Sequence, residues 1–144
     1  MLISVTRLRV RSLRFMPAFL WATFLAKRQA ARSTGFLAGR VLADADRAFW
    51  TVTAWRSDAA MRGYRISSAH AKVMPKLQHW CDEASVAHWT AEGGELPSWP
   101  QVCEAMRRLG RPLRVLHPSP RHQTLGFPDP RLSPLISQDL KRTR

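Results

Sequence analysis

Acidic side chains are missing from the first 43 residues of this 144-residue chain, although the stretch carries eight basic residues. Residues 44–110 hold eight residues of each sign, and residues 111–144 hold seven basic and two acidic ones. The net charge of +13 is therefore concentrated at the two ends of the chain. No helix-turn-helix, zinc-finger or RNA-recognition pattern accompanies it, and the aromatic residues fall at core spacings. We interpret the basic excess as solvated surface and expect no specific nucleic-acid partner.

Cysteine is also scarce, since Cys81 and Cys103 are the only two in the chain. Neither belongs to a CxxC or CxxH pattern. Disulfide-stabilised secreted domains and zinc sites need more cysteines or closer spacings, so both classes are disfavoured. We expect two reduced, buried thiols.

Long apolar runs are absent except for residues 15–26, FMPAFLWATFLA, which follow several arginines and imitate a signal peptide. The run is shorter than the about 20 residues that a membrane span requires. Pro17 lies inside it, and the small-residue cleavage site of a signal peptide is lacking. These features predict a buried helix in a soluble, cytoplasmic protein without a membrane span.

The length and the 45% hydrophobic content suffice for one domain with a modest core and appendages. We place the domain at residues 1–92. Ser98 and Gln101 resemble a capping box that starts a helix, which makes residues 93–117 a helical appendage. Prolines recur from residue 112 onward, so residues 118–144 are expected to form a flexible, basic, proline-rich tail.

Hydrophobic periodicity predicts the order of elements in the domain. Alternation indicates strands at residues 2–10, 36–43, 48–55 and 85–90, and helical spacing indicates helices at residues 15–31, 59–66 and 69–84. Ser57 is expected to cap the second helix, Gly35 to end the first, and Pro75 to bend or divide the third. The order βαββαβ predicts an α+β, ferredoxin-like fold with an antiparallel sheet.

The third predicted strand, residues 48–55, has no clearly polar face, because Phe49, Thr51, Thr53 and Trp55 alternate with apolar residues. Such a strand is buried on both sides. Helices would cover one side, and dimerisation through the sheet is the simplest way to cover the other.

The stretch WTVTAW, the acidic helix start after it and the Ala-His pair at residues 69–70 resemble the antibiotic-biosynthesis monooxygenase superfamily of dimeric α+β barrels. Within that superfamily, WTVTAWRSDAAMRGYRISSAHAKVMPKL and WCDEASVAHW resemble a bacterial group related to spheroidene monooxygenase. The resemblance covers about residues 1–92. It implies a homodimeric, monooxygenase-type oxidoreductase that binds dioxygen and a hydrophobic or aromatic small molecule in a pocket between sheet and helices.

The resemblance extends to haem-degrading monooxygenases, whose proximal ligand occupies the position of His70 here. A haem site needs an axial donor, an apolar slot and cations for the propionates. His70 lies on an apolar helix face, which makes it the candidate iron ligand of haem b. The other candidates are Met74 and Leu77 beside it, Phe19, Trp21, Trp50 and Trp55 as walls, and Arg7, Arg9 and Arg40 as propionate partners.

Two alternatives remain open at this point. In a cofactor-free oxygenase or isomerase, His70 would act as acid and base, while Tyr64, Thr51 and an arginine orient the substrate. The chain could also bind haem or another small molecule without catalysis, with His70 as a structural residue.

Overall fold

The computed structural model describes residues 1–130 and 137–142 and has the predicted α+β architecture. An antiparallel sheet has three helices on one face and a fourth on the other. The elements in chain order are β1 (Leu2–Val10), α1 (Met16–Arg32), β2 (Phe36–Ala43), β3 (Ala48–Trp55), α2 (Asp58–Ile66), α3 (Ser68–Trp80), β4 (Cys81–Thr90), α4 (Trp99–Leu109), β5 (Arg111–Pro112) and β6 (Ser137–Leu140). The strand order is β5-β4-β1-β3-β2-β6, which confirms the ferredoxin-like plan around a central β1.

Local capping signals predicted the helix starts. The Ser57 hydroxyl accepts a hydrogen bond from the backbone N–H of Ala60 at the start of α2. Ser98 and Gln101 form both bonds of a capping box at the start of α4. Gly35 lies beyond the end of α1, in a turn where its φ of +84° requires a residue without a side chain.

Two boundaries differ from prediction. β4 begins at Cys81 rather than at residue 85, because Cys81 and Glu83 already pair with β1. Pro75 lies inside α3, which continues through it from Ser68 to Trp80. The strand after α4 is short, Arg111–Pro112, and the backbone N–H of Leu113 donates to Ala84 O of β4.

α1 is buried on one side only, so the prediction of a fully covered helix is wrong. Phe19 is buried with Val10 and Cys81 at one end of the sheet. Trp21 and Phe24 are 63% and 45% exposed, and their rings stack on each other at 5.7 Å. Within the described residues α3 lies along the inner side of α1, and nothing covers the outer side. No described helix is long and apolar enough to span a bilayer.

α4 covers the second face of the sheet. Trp50 and Val52 of β3 are fully buried there against Val102 and Met106 of α4, and the ring of Phe127 meets Trp50 edge-on at 5.3 Å. The interpretation that a partner molecule must cover this face is therefore wrong. The homodimer itself stays a prediction.

The segment after β5 also packs on the sheet. His122 is buried, its Nε2 lies 2.7 Å from Leu113 O, and its Nδ1 accepts from the backbone N–H of Ala84. The division of the chain at residues 92 and 117 stays a prediction. In this structure residues 119–127 pack on the domain, since the backbone N–H of Ser119 donates to Asp82 O and Phe127 joins the core with Trp50. Residues 131–136 and 143–144, which belong to the predicted tail, are outside the described residues.

A buried ion pair joins this segment to the sheet. Arg7 is 3% exposed, its Nη1 donates to Glu83 Oε2 at 2.6 Å, and its guanidinium lies 4.5 Å from the centre of the Phe127 ring. Ser119 and Arg121 donate to the other oxygen of Glu83. Burial raises the pKa of Glu83, but the hydrogen bonds and positive charges of these neighbours outweigh it and lower the pKa overall.

Both thiols are free and buried, as predicted. Burial raises the pKa of Cys81 to about 12 and that of Cys103 to about 11. Both side chains therefore stay protonated and unreactive at neutral pH.

If α4 is part of the core, Met106→Ala should lower the free energy of unfolding by about 2–5 kcal/mol, because it leaves a cavity under Trp50. Leu109→Ala, on the exposed side of the same helix, should change it by less than about 0.5 kcal/mol. Urea denaturation measures both. Equal effects of the two substitutions would show that α4 is an appendage.

Glu83→Gln should lower the free energy of unfolding by about 3–5 kcal/mol, since it leaves the Arg7 cation buried without a counter-charge. Asp139→Asn removes the partner of Arg40 from an exposed pair and should cost less than about 1 kcal/mol. Because folding lowers the pKa of Glu83, its contribution is present above the ordinary value of 4.5 and lost as the pH falls below it. The difference between wild type and Glu83→Gln should therefore shrink in acid, and a constant difference would contradict this account.

Candidate functional site

A cavity of about 290 Å³ lies between the sheet and helices α1, α2 and α3. Its volume is at the lower end of the range for small-molecule sites, which suits a ligand of two or three fused rings. The lining residues whose side chains matter below are Ser4, Thr6, Thr51, Thr53, Trp55, Tyr64, Arg65, His70, Met74, Leu77, His88, Arg111 and Arg114.

The floor of the cavity carries hydroxyl groups from two paired strands. β1 and β3 pair so that Ser4 is opposite Thr53 and Thr6 is opposite Thr51. Thr53 accepts a hydrogen bond from Trp55 Nε1 at 2.9 Å, which holds the indole against the floor. We overlooked this hydroxyl patch in the sequence, although alternating Ser and Thr in two strands predicted to share a sheet could have revealed it.

His70 lies near the start of α3 and lines the cavity. Its Nδ1 is 3.2 Å from Arg65 O, and since a carbonyl oxygen only accepts, the proton of the neutral ring belongs on Nδ1. Nε2 then carries the lone pair. Burial lowers the pKa of His70, and the positive charge of Arg65 adds to this, against the opposing effect of the hydrogen bond to Arg65 O. The imidazole is therefore neutral at pH 7 and able to accept a proton.

Tyr64 forms a wall next to His70, with the two ring centres 4.9 Å apart. Its other neighbour is Trp55, on which it stacks at 5.1 Å. The hydroxyl donates to Ala26 O at 3.1 Å, and burial raises the pKa of Tyr64 to about 12. The hydroxyl therefore keeps its proton at neutral pH and shares it with a backbone carbonyl, while the ring faces Trp55 and His70.

Half of the predicted site residues share this cavity. Met74 and Leu77 follow His70 along α3 at spacings of four and three, which brings all three to one side of the helix. The members of the predicted set that line the cavity are His70, Tyr64, Thr51, Met74, Leu77 and Trp55. Their roles stay predictions.

The predicted propionate-binding arginines lie outside the lining, which corrects their assignment. Arg7 points to the α4 face, because odd-numbered residues of β1 face away from Ser4 and Thr6. The other two arginines pair with carboxylates, Arg9 with Asp82 at 2.6 Å and Asp46 at 3.2 Å, and Arg40 with Asp139 at 2.9 Å.

Three predicted aromatic walls are also elsewhere. Trp50 is buried on the α4 face, Trp21 is on the exposed side of α1, and Phe19 packs with Val10 and Cys81. The wrong assignment of Trp50 has a simple cause, since it neighbours Thr51 in β3 and successive strand residues point to opposite faces.

The residues predicted for haem do not come together as a haem site. The three arginines are engaged by carboxylates away from the cavity, and three of the four aromatic walls do not line it. The cavity volume favours a ligand smaller than a tetrapyrrole. Ligation of iron by His70 alone stays a prediction, and nothing below depends on it.

Positive charge surrounds the cavity in a way that sequence analysis missed. Arg65 comes from α2, Arg111 from β5 and Arg114 from the segment after it, while His88 belongs to the floor. Burial lowers the pKa of His88, and the charges of Arg65 and Arg111 add to this effect against that of Asp58. These residues lie up to 49 positions apart in the chain, so no motif or periodicity in the sequence predicts that they share a site.

Known structures share this fold at low sequence identity. A crystal structure of an antibiotic biosynthesis monooxygenase has a TM-score of 0.58 at 14% identity, over 65% of this chain and 100% of its own. A cofactor-independent oxygenase from Streptomyces nogalater gives 0.55 at 18%, over 67% and 97%. A conserved protein from Methanosarcina mazei gives 0.56 at 12%, over 63% and 92%. The predicted fold of the antibiotic-biosynthesis monooxygenase superfamily is confirmed, whereas the relation to spheroidene monooxygenase stays a prediction.

Comparison with curated proteins gives no match. A family model, described as Domain of unknown function (DUF3291), matches residues 13–130. The match begins before α1 and ends beyond Phe127, so it includes α4 and the segment that packs behind it. The chain therefore belongs to the DUF3291 family.

Proposed function

We propose that the chain is a cofactor-free, monooxygenase-type enzyme that oxidises a phenolic aromatic compound in the cavity, with His70 as the general base. The observation that carries the proposal is the state of His70. A neutral imidazole with Nδ1 engaged by a carbonyl presents an Nε2 lone pair within a largely apolar cavity. A fold shared with a cofactor-independent oxygenase supports the choice of chemistry.

The reaction needs no electrons from outside the substrate. His70 Nε2 takes a proton from the phenol, and the resulting anion transfers one electron to dioxygen. The substrate radical and superoxide combine at the ring carbon para to the phenolate oxygen, which carries a single hydrogen in the phenol tautomer of an anthrone; the peroxide takes the proton back from the imidazolium, and water leaves with that hydrogen. One oxygen atom becomes a carbonyl, the other becomes water, and all four electrons come from the substrate.

The remaining lining residues position the substrate. Tyr64 and Trp55 offer flat faces on which an aromatic ring packs. The Thr51 hydroxyl on the floor makes no hydrogen bond to the described residues and can donate to the phenolate oxygen. Partial enclosure limits water at the anion and strengthens these interactions.

With a phenolic anthrone as substrate, wild type should consume one dioxygen per quinone formed, above the rate in buffer. His70→Gln should lower this rate by about 10²-fold or more, because it removes the proton acceptor. An oxygen electrode measures the consumption of dioxygen, and the absorbance of the quinone measures product formation. His79→Gln, on the same helix but outside the cavity lining, should keep the wild-type rate. Full activity of His70→Gln would remove the proposed base.

The pH dependence should report the lowered pKa of His70. The value of kcat/KM should fall as the pH drops through a midpoint below the ordinary histidine value of 6.5, because protonation removes the base. His88 lines the same cavity and its pKa is also lowered below the ordinary value, so the midpoint is assigned to His70 by comparing wild type with His88→Gln, whereas Tyr64, with a pKa of about 12, does not titrate in this range. Initial rates between pH 4.5 and 8, corrected for the reaction in buffer, test this. A midpoint at or above 6.5 is incompatible with the buried imidazole as base.

A further inference from the structure

We infer that the ligand of the cavity is an aromatic carboxylic acid, whose carboxylate is bound by Arg65 and Arg111 beside His88. The inference rests on the proposed function only in taking this cavity as the ligand site. Three observations carry it: the charges that line the cavity, the partners of those charges, and the position of His88.

The charged side chains that line the cavity are all positive among the described residues. They belong to Lys27, Arg65, Arg111 and Arg114, and no aspartate or glutamate of the described residues lines the cavity. A neutral apolar ligand would gain nothing from such an arrangement. An anionic ligand would be attracted to the mouth and held there.

The side chains of Arg65, Arg111 and Arg114 also make no ion pair or hydrogen bond within residues 1–130 and 137–142. The Asp58 carboxylate, whose charge opposes the lowering of the pKa of His88, is paired with Arg62 at 2.7 Å. Seven other arginines of the described residues pair with carboxylates. The paired ones are Arg7, Arg9, Arg40, Arg47, Arg62, Arg107 and Arg121. The planar guanidinium groups at the cavity therefore keep their donors for a ligand.

Arg65, His88 and Arg111 line the same cavity, although they come from α2, β4 and β5. The positive charges of both arginines also act on the half-buried His88 ring and lower its pKa. The cavity therefore offers guanidinium donors from two separate elements beside one imidazole. A carboxylate fits this site because each of its oxygens accepts more than one hydrogen bond.

This site lies next to the proposed base. Arg65 contributes to both, since its backbone oxygen contacts His70 Nδ1 and the residue also lines the cavity. A substrate that carries the acid and the phenol on one aromatic skeleton would be fixed at the arginines and turned toward the imidazole. The carboxylate thus supplies orientation, which positions the phenol for proton transfer.

Two matched probes test the inference directly. 1-Hydroxy-2-naphthoate and 1-naphthol share the phenol and the ring system, and only the first carries a carboxylate. Wild type should bind the naphthoate at least about tenfold more tightly, as expected for charge-assisted hydrogen bonds. Titration calorimetry at two salt concentrations gives both dissociation constants, and added salt should weaken binding of the naphthoate alone.

The double variant Arg65→Gln with Arg111→Gln should bind both probes equally, with unchanged affinity for 1-naphthol. Arg108→Gln is the control, because it removes an exposed positive charge of α4 that lies outside the cavity lining, and it should keep the wild-type preference. Equal binding of both probes by wild type, or a preference that survives the double variant, would overturn the inference. Thermal unfolding of each variant verifies that the fold is intact.

The inference and the proposed function fail separately. If the naphthoate preference depends on the two arginines while no phenolic substrate consumes dioxygen, the cavity is an acid-binding site and the oxygenase proposal falls. If dioxygen is consumed and the preference is absent, the chemistry remains and the carboxylate assignment falls.

Discussion

The alternation of side chains along β1 is the constraint on which the rest of the structure depends. This strand lies between β4 and β3 in the sheet, and both of its faces are covered. A shift of its pairing by one residue would turn every side chain to the opposite face. Ser4 and Thr6 face the cavity, whereas Val5 and Arg7 face α4. The pairing of β1 with β3 extends the same division to the neighbouring strand. One register therefore separates a hydroxyl-lined floor from a densely packed core.

Features that depend on near neighbours in the sequence could be predicted. The element order, the caps at Ser57 and Ser98 and the grouping of His70 with Met74 follow from spacing, and the structure bears them out. The faces of β3 could not be assigned in this way, because α4, which covers Trp50, is about fifty residues further along the chain. The same limit applied to the arginines, whose carboxylate partners lie in other elements.

The cavity separates neutral polar groups from charged ones. Inside, burial favours the uncharged forms of His70 and Tyr64 and thereby keeps one as a proton acceptor and the other as a rigid wall. The side chains of Arg65 and Arg111 lie at the edge of the cavity, where both are exposed to solvent. In the proposed function, proton transfer and carboxylate binding therefore fall to different side chains.

The position of α4 has a further consequence for assembly. Because this helix covers the face that would otherwise need a second molecule, each copy completes its own core and its own cavity from the described residues. A second copy is therefore not needed to bury Trp50 and Val52 of β3.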